Sequence, residues 1–307
     1  MRPSPGSRLG SKGRGELLRY GYITNGLADH TLEQAIEMLS TAGYQGIGIT
    51  LDHQHLDPSS VDDPRLADVG ALLRSSDLEP VIETVARFAL DPMRKHWPSM
   101  VSLDADDRKR RIDYYIRAIQ IAESIGARVV SLWSGVAEPG SARPDGERFL
   151  LEALGQLLPI AREHGITIGF EPEPGMLIES LDQWCWLRQQ IADETLGLTV
   201  DLGHLAVTEP PPFDAALSQV VSDVVHVHVD DCAQGVHEHL PLGTGELDFA
   251  PLLRVLIEHG YSGLALVELS RDSHRAPELI DQSIRFLQGI EIDLDSSCRD
   301  NTRKGTS

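Results

Sequence analysis

Cysteine is scarce in this chain. Cys185, Cys232 and Cys298 are the only three in 307 residues, with no CxxC pair and no even framework. That excludes a disulfide scaffold and fits a reducing cytoplasm. No apolar run approaches the roughly 20 residues that span a bilayer, so no membrane partner is expected. The basic, Gly- and Ser-rich stretch from Met1 to Gly15 lacks an apolar segment, which argues against a signal peptide. Positive charge is in short supply as well. Lys plus Arg number 27 against 47 acids, for a net charge of −20. Such a balance repels phosphate backbones and argues against nucleic acid. A cytoplasmic protein acting on a small molecule is the expectation, with self-association into a homo-oligomer left open.

What the chain does have is alternation. "YGYIT" precedes the amphipathic "TLEQAIEMLSTAGY", and "GIGITLD" precedes "PRLADVGALLRSSDL". "PVIETVA", "RVVSLW", "TIGFE", "GLTVDLGH", "VVHVHVDD" and "GLALVELS" are each followed in turn by a segment of helical periodicity. Several helices stop at a glycine that feeds an apolar strand, as in "SIGARVV" and "REHGITIGF", where glycine supplies the left-handed terminus. Eight such units without a composition shift predict an α/β fold, a single-domain (β/α)8 TIM barrel over residues 19–294. Residues 1–18 and 295–307 read as disordered tails. An open doubly wound sheet would bring a phosphate-binding glycine fingerprint after the first strand, and "ITNGLADH" is not one.

In such a barrel the functional side chains gather at the C-terminal strand ends. Strand five ends in Glu171, strand six in Asp201, strand seven in His228 and strand eight in Glu268. Alternation puts Thr167, Gly169 and Glu171 on one face and Thr199 with Asp201 on another, pointing inward. Three carboxylates and one imidazole make a hard, mostly oxygen site suited to Mn²⁺, Mg²⁺, Co²⁺ or Zn²⁺. Glu173 is a second candidate after strand five. His226 shares the phase of His228 one layer deeper and reads as structural.

"GFEPEP", "VDLGH", "HVHVDD…HLPLGTGELDF" and "LALVELS" resemble the last four strand ends of the xylose isomerase-like TIM-barrel superfamily. That superfamily contains sugar-phosphate isomerases and epimerases, ketose 3-epimerases, inosose dehydratases and isomerases, and endonuclease IV. The resemblance implies metal ligands at Glu171, Asp201, His228 and Glu268, and places His204 against a substrate hydroxyl or a second metal. His237 and His239 fall where endonuclease IV has an Asp-x-His pair. They are read as substrate contacts, with a multinuclear site as the other reading. "GTGELDF" would shape the rim and launch the next helix.

The expected activity is isomerisation or epimerisation of a sugar, sugar phosphate or cyclitol ketone by α-proton abstraction through a metal-stabilised enediolate. One divalent metal per chain is expected, with up to three on the multinuclear reading. Glu171 and Glu268 enter from different strands and are the candidate acid–base pair. His53, Glu83, Trp133 and Arg87 are expected to face a polyhydroxylated substrate from the opposite wall. Arg87, Arg271 and His274 are candidates to receive a distal anion. The alternatives are a multinuclear zinc phosphoesterase acting on a small ester, or a metal-dependent dehydratase of a cyclic ketose.

Overall fold

The computed structural model describes residues 18–85 and 87–304, with side chains described as far as Leu294. Eight parallel strands close into one barrel in chain order: β1 Arg19–Ile23, β2 Gly46–Thr50, β3 Glu79–Glu83, β4 Val129–Trp133, β5 Thr167–Glu171, β6 Leu196–Asp201, β7 Val224–Val229 and β8 Leu264–Val267. Around them run α1 Leu32–Ala42, α2 Asp63–Ser75, α3 Ala105–Ile125, α4 Arg143–Glu163, α5 Leu181–Gln190, α6 Leu202–Thr208, α7 Phe213–Val220, α8 Phe249–Glu258 and α9 Ala276–Lys304. The expected (β/α)8 barrel is therefore the fold. The short α6 is additional to the eight expected units, inserted between β6 and α7. No helix among the described residues is long and apolar enough to cross a membrane, and Cys185 and Cys232 are free thiols.

The two expected tails meet the fold differently. Most of 1–18 lies outside the described residues, but Leu18 is buried and its amide donates to Glu291 Oε1 at 2.8 Å. At the other end α9 continues to Lys304, past the boundary expected at 294.

Local signals set the helix ends. Thr31 and Gln34 form a reciprocal capping box ahead of α1, and Gly43 ends it at φ +86°. Asp104 accepts from the amides of Asp106 and Asp107 at the start of α3, and Gly126 ends that helix at φ +88°.

The barrel interior changes character from one end to the other. Below the polar strand ends Ile23, Val81, Leu264 and Leu266 pack as a separate apolar cluster. They meet glycines: a Cβ on Gly21 would sit 2.2 Å from Leu266 Cδ2, and one on Gly46 would sit 2.4 Å from Leu264 Cδ1. Along the same inward phase several strands then turn polar, from Val81 to Glu83, Gly197 to Thr199 and Asp201, and Leu266 to Glu268. Alternation alone thus delivers the ionisable groups to the C-terminal mouth.

Candidate active site

Glu171, Asp201, His228 and Glu268 present ligand atoms within 4.8 Å of one another at the end of β5, β6, β7 and β8, and all four are buried. His228 is the hub. Its Nδ1 lies 3.1 Å from Glu171 Oε1 and 3.3 Å from Glu268 Oε2. Its Nε2 lies 3.3 Å from Glu83 Oε1, one layer below. Asn25, just past β1, donates from Nδ2 to Glu268 Oε1 at 2.7 Å and so fixes that carboxylate. Asp201 caps α6, its Oδ1 accepting the His204 amide at 3.0 Å, which fixes the side chain at the end of β6.

The charges are unbalanced. Burial pushes the Glu171 carboxyl up to about 7, against the pull of His228 and with the help of Glu268 and Asp201. Burial opposes the protonated form of His228, yet Glu171 and Glu83 outweigh it and hold the imidazole well above its usual range. Burial likewise opposes ionised Asp201, but His204, His228 and His239 win and keep it well below the carboxylate range. Asp201 Oδ2 is buried without a hydrogen-bond donor. Three buried carboxylates around one imidazole, with an orphaned oxygen among them, fit a hard divalent cation.

A second layer of histidines stands above the quartet. His204 Nε2 is 3.1 Å from His237 Nε2, and His204 Nδ1 is 3.7 Å from Glu171 Oε1. His239 Nδ1 contacts Asp230 Oδ2, and Glu173 Oε1 lies 3.8 Å from His237 Nε2. Burial pushes the His204 imidazole down to about 3. His237 and His239 are carried on the β7–α8 loop, which Asp231 closes. Its carboxylate accepts from the amides of Gly243 and Gly245 at 2.9 Å each and of Leu247 at 3.1 Å.

These groups open into a cavity of about 530 Å³, within the range of small-molecule sites. Trp133, Arg87, His237, His239, Glu173 and Arg271 line it. His204 lies just beneath, in contact with His237. Three expectations are corrected. Glu83 does not face the cavity: it pairs with Ser131, two residues short of Trp133, which pairs with Glu171, so it sits one layer too deep. There it is 1% exposed and engages His226 Nε2 at 2.9 Å. His53 also fails to reach the mouth. Its side chain is 66% exposed and binds Asp57 Oδ2 at 2.8 Å within its own loop. His274 lies in the turn Ser273–Arg275, away from the cavity lining. The reading of His226 as a structural histidine matches its burial against Glu83.

Asn25 lines the cavity and was not anticipated, whereas Lys95 and His96, which also line it, belong to the stretch "RKHW", expected from the sequence on the opposite wall of the mouth. Asn25 was within reach, since it continues the inward phase of Gly21 and Ile23 two residues past the apolar run. Lys95 and His96 arrive from the long β3–α3 loop, where no periodicity forecasts direction.

Comparison with known proteins agrees with this architecture. An L-ribulose-5-phosphate 3-epimerase, UlaE of Shigella flexneri, is 23% identical over 246 residues, covering 80% of this chain and 84% of the relative. A solved L-ribulose 3-epimerase superposes with a TM-score of 0.74 at 16% identity, covering 95% of this chain and 99% of that one. The IolI protein, solved with a bound zinc atom, superposes with a TM-score of 0.72 at 18% identity, covering 91% and 99%. Residues 36–290 match the family described as xylose isomerase-like TIM barrel, and this chain belongs to that family.

Proposed function

We propose that this protein is a divalent-cation-dependent isomerase or epimerase of a polyhydroxylated carbonyl compound, a sugar, sugar phosphate or cyclitol ketone. The observation that carries the reading is the placement of Glu171 and Glu268. They come from β5 and β8, meet the same imidazole nitrogen at 3.1 and 3.3 Å, and both border one cavity. Sugar epimerases among the relatives and structural neighbours support it.

Glu171, Asp201, His228 and Glu268 would hold the cation, whose charge would polarise a substrate carbonyl and so acidify the neighbouring C–H by several kcal/mol. The chain's own residues do the rest. Glu171 and Glu268, on different strands, can take the α-proton on one side of a planar carbon and return one on the other. Asn25 holds Glu268 by its Oε1, leaving Oε2 toward His228. His204 and His237 are neutral at pH 7, because burial lowers both, and neutral imidazoles can orient substrate hydroxyls as donor or acceptor. Trp133, 3% exposed and met edge-on by His96 at 5.4 Å, gives the cavity a rigid apolar wall for a sugar face.

The test is α-proton exchange in deuterated water on a panel of ketoses, ketose phosphates and inososes, with metal content per chain measured by elemental mass spectrometry. Exchange in wild type that is lost in both Glu171→Gln and Glu268→Gln is expected, with about one divalent ion per chain. No exchange on any member of the panel would overturn the reading. The His204, His237 and His239 cluster favours a second one, a multinuclear zinc phosphoesterase. Two or three zinc ions per chain, with hydrolysis of a small phosphate ester, would select it.

A further inference from the structure

The cavity is electrostatically divided. Its floor holds Glu171, Glu173 and Glu268, whereas Arg87, Lys95 and Arg271 sit together on its outer wall. Many cations elsewhere on this acidic surface are matched to carboxylates, as in Arg19–Glu79 at 2.7 Å, Lys109–Asp113 at 2.6 Å and Arg285–Asp281 at 2.9 Å. The three wall cations stand apart among the described residues in sharing one cavity without a carboxylate partner. Among the described residues none of them makes an ion pair, and the two arginines spend hydrogen bonds on carbonyls instead. Arg87 donates to Ser270 O at 2.9 Å and Arg271 to His237 O at 3.3 Å. The first bond laces the β3–α3 loop to the β8–α9 loop over the mouth, and the second fixes Arg271 beside the histidine layer.

Three like charges converging on one wall repel one another. Burial and the charges of Arg87 and Arg271 hold the Lys95 ammonium below the usual lysine range, with Glu173 opposing. A chain with 47 acids against 27 Lys plus Arg could readily supply a carboxylate here. Leaving the cations unmatched inside a ligand-sized cavity makes sense when the ligand brings the negative charge.

We propose that Arg87, Lys95 and Arg271 form a subsite for a terminal anionic group of the substrate, a phosphate monoester or a carboxylate. The inference rests on the isomerase or epimerase reading and narrows it from polyhydroxylated ketones in general to those with a charged end. It also fixes orientation. The acidic floor repels the anion and the wall attracts it, so the substrate enters with its reacting carbons toward Glu171 and Glu268.

The experiment titrates inorganic phosphate and, separately, acetate into the full-length protein and into the Lys95→Gln/Arg271→Gln double variant, by calorimetry. Both substitutions are at exposed positions. The second arm measures kcat/KM for a ketopentose and for its 5-phosphate or terminal carboxylate. At least one anion is expected to bind wild type and to bind the double variant at least tenfold more weakly, and the tighter anion names the terminal group. The charged-to-neutral ratio of kcat/KM should fall by a similar factor. Failure of both anions to bind, or equal binding by the variant, overturns the subsite. Anion binding that the variant loses, with no α-proton exchange on any ketose, keeps the subsite and removes the isomerase reading. Exchange on neutral ketoses with no gain from a charged terminus does the reverse.

Discussion

Replacing Glu83 by Gln tests whether a carboxylate that never touches the cavity governs the site above it. Glu83 Oε1 receives His226 Nε2 at 2.9 Å and faces His228 Nε2 at 3.3 Å, all three side chains being at most 2% exposed. Gln keeps the shape and one acceptor but loses the charge. Hydrogen bonds to charged groups are worth about 1.5–3 kcal/mol and neutral ones about 0.5–1.5, so each contact weakens by roughly 1 kcal/mol and folding by about 2. For a domain of this size that corresponds to a Tm lower by about 4 °C. The second consequence is on the cation proposed for the quartet. Glu83 fixes the ring of His228 so that Nδ1 points at Glu171 and Glu268. Losing such a partner typically costs about 10–100-fold in metal affinity. Competition titration with a chelating dye and a thermal melt read the two effects on one sample. Unchanged metal affinity together with a Tm within 1 °C of wild type would refute this account of Glu83.

His228→Ala and Glu268→Ala should each lose bound metal and activity together, by elemental analysis and α-proton exchange. His226→Ala should instead lower stability by about 2–4 kcal/mol, because it leaves the buried Glu83 carboxylate short of a donor; denaturant unfolding reads it. Gly169→Ala would put a Cβ 2.3 Å from Thr199 Oγ1, an overpacking expected to cost about 1–3 kcal/mol. Adding Thr199→Ala should recover part of that loss in a double-mutant cycle. His96 is neutral in the fold, since burial pushes its imidazole down to about 4. The unfolded chain takes up that proton near 6.5, so stability should fall as pH drops from 6.5 towards 4, on the order of 2–3 kcal/mol in all. His96→Asn tolerates the positive φ of 62° at this position and should flatten that segment of the Tm–pH curve; an unchanged slope would count against it.

The barrel was legible because its periodicities are local. Each βα unit carries its own alternation, and some add a cap and a terminal glycine, as at Thr31 with Gly43 and Asp104 with Gly126. The metal-type quartet was legible for the same reason: Glu171, Asp201, His228 and Glu268 continue the inward phase of their strands. Depth was harder. Glu83 ends β3 just as Glu171 ends β5, yet barrel shear sets it two residues lower, and stagger between strands is a property of the closed sheet. Loops were hardest. His53 turned outward to Asp57 while Lys95, from an equally polar stretch, turned inward, because backbone geometry without a repeat decides direction there.

Asp231 has a consequence beyond local order. Its one carboxylate ties down the amides of Gly243, Gly245 and Leu247, and its own backbone pairs with Leu240 in both directions. The loop is thus sealed at its base, and α8 begins in the same place whatever lies between the seals. The span from Ala233 to His239 can therefore lengthen at only a slowly growing entropic cost, about 0.6 kcal/mol per doubling. Barrel and rim are separable parts. Changes written into that span reach the site through His237 and His239, which touch His204 and Asp230, while the barrel strands beneath keep their register.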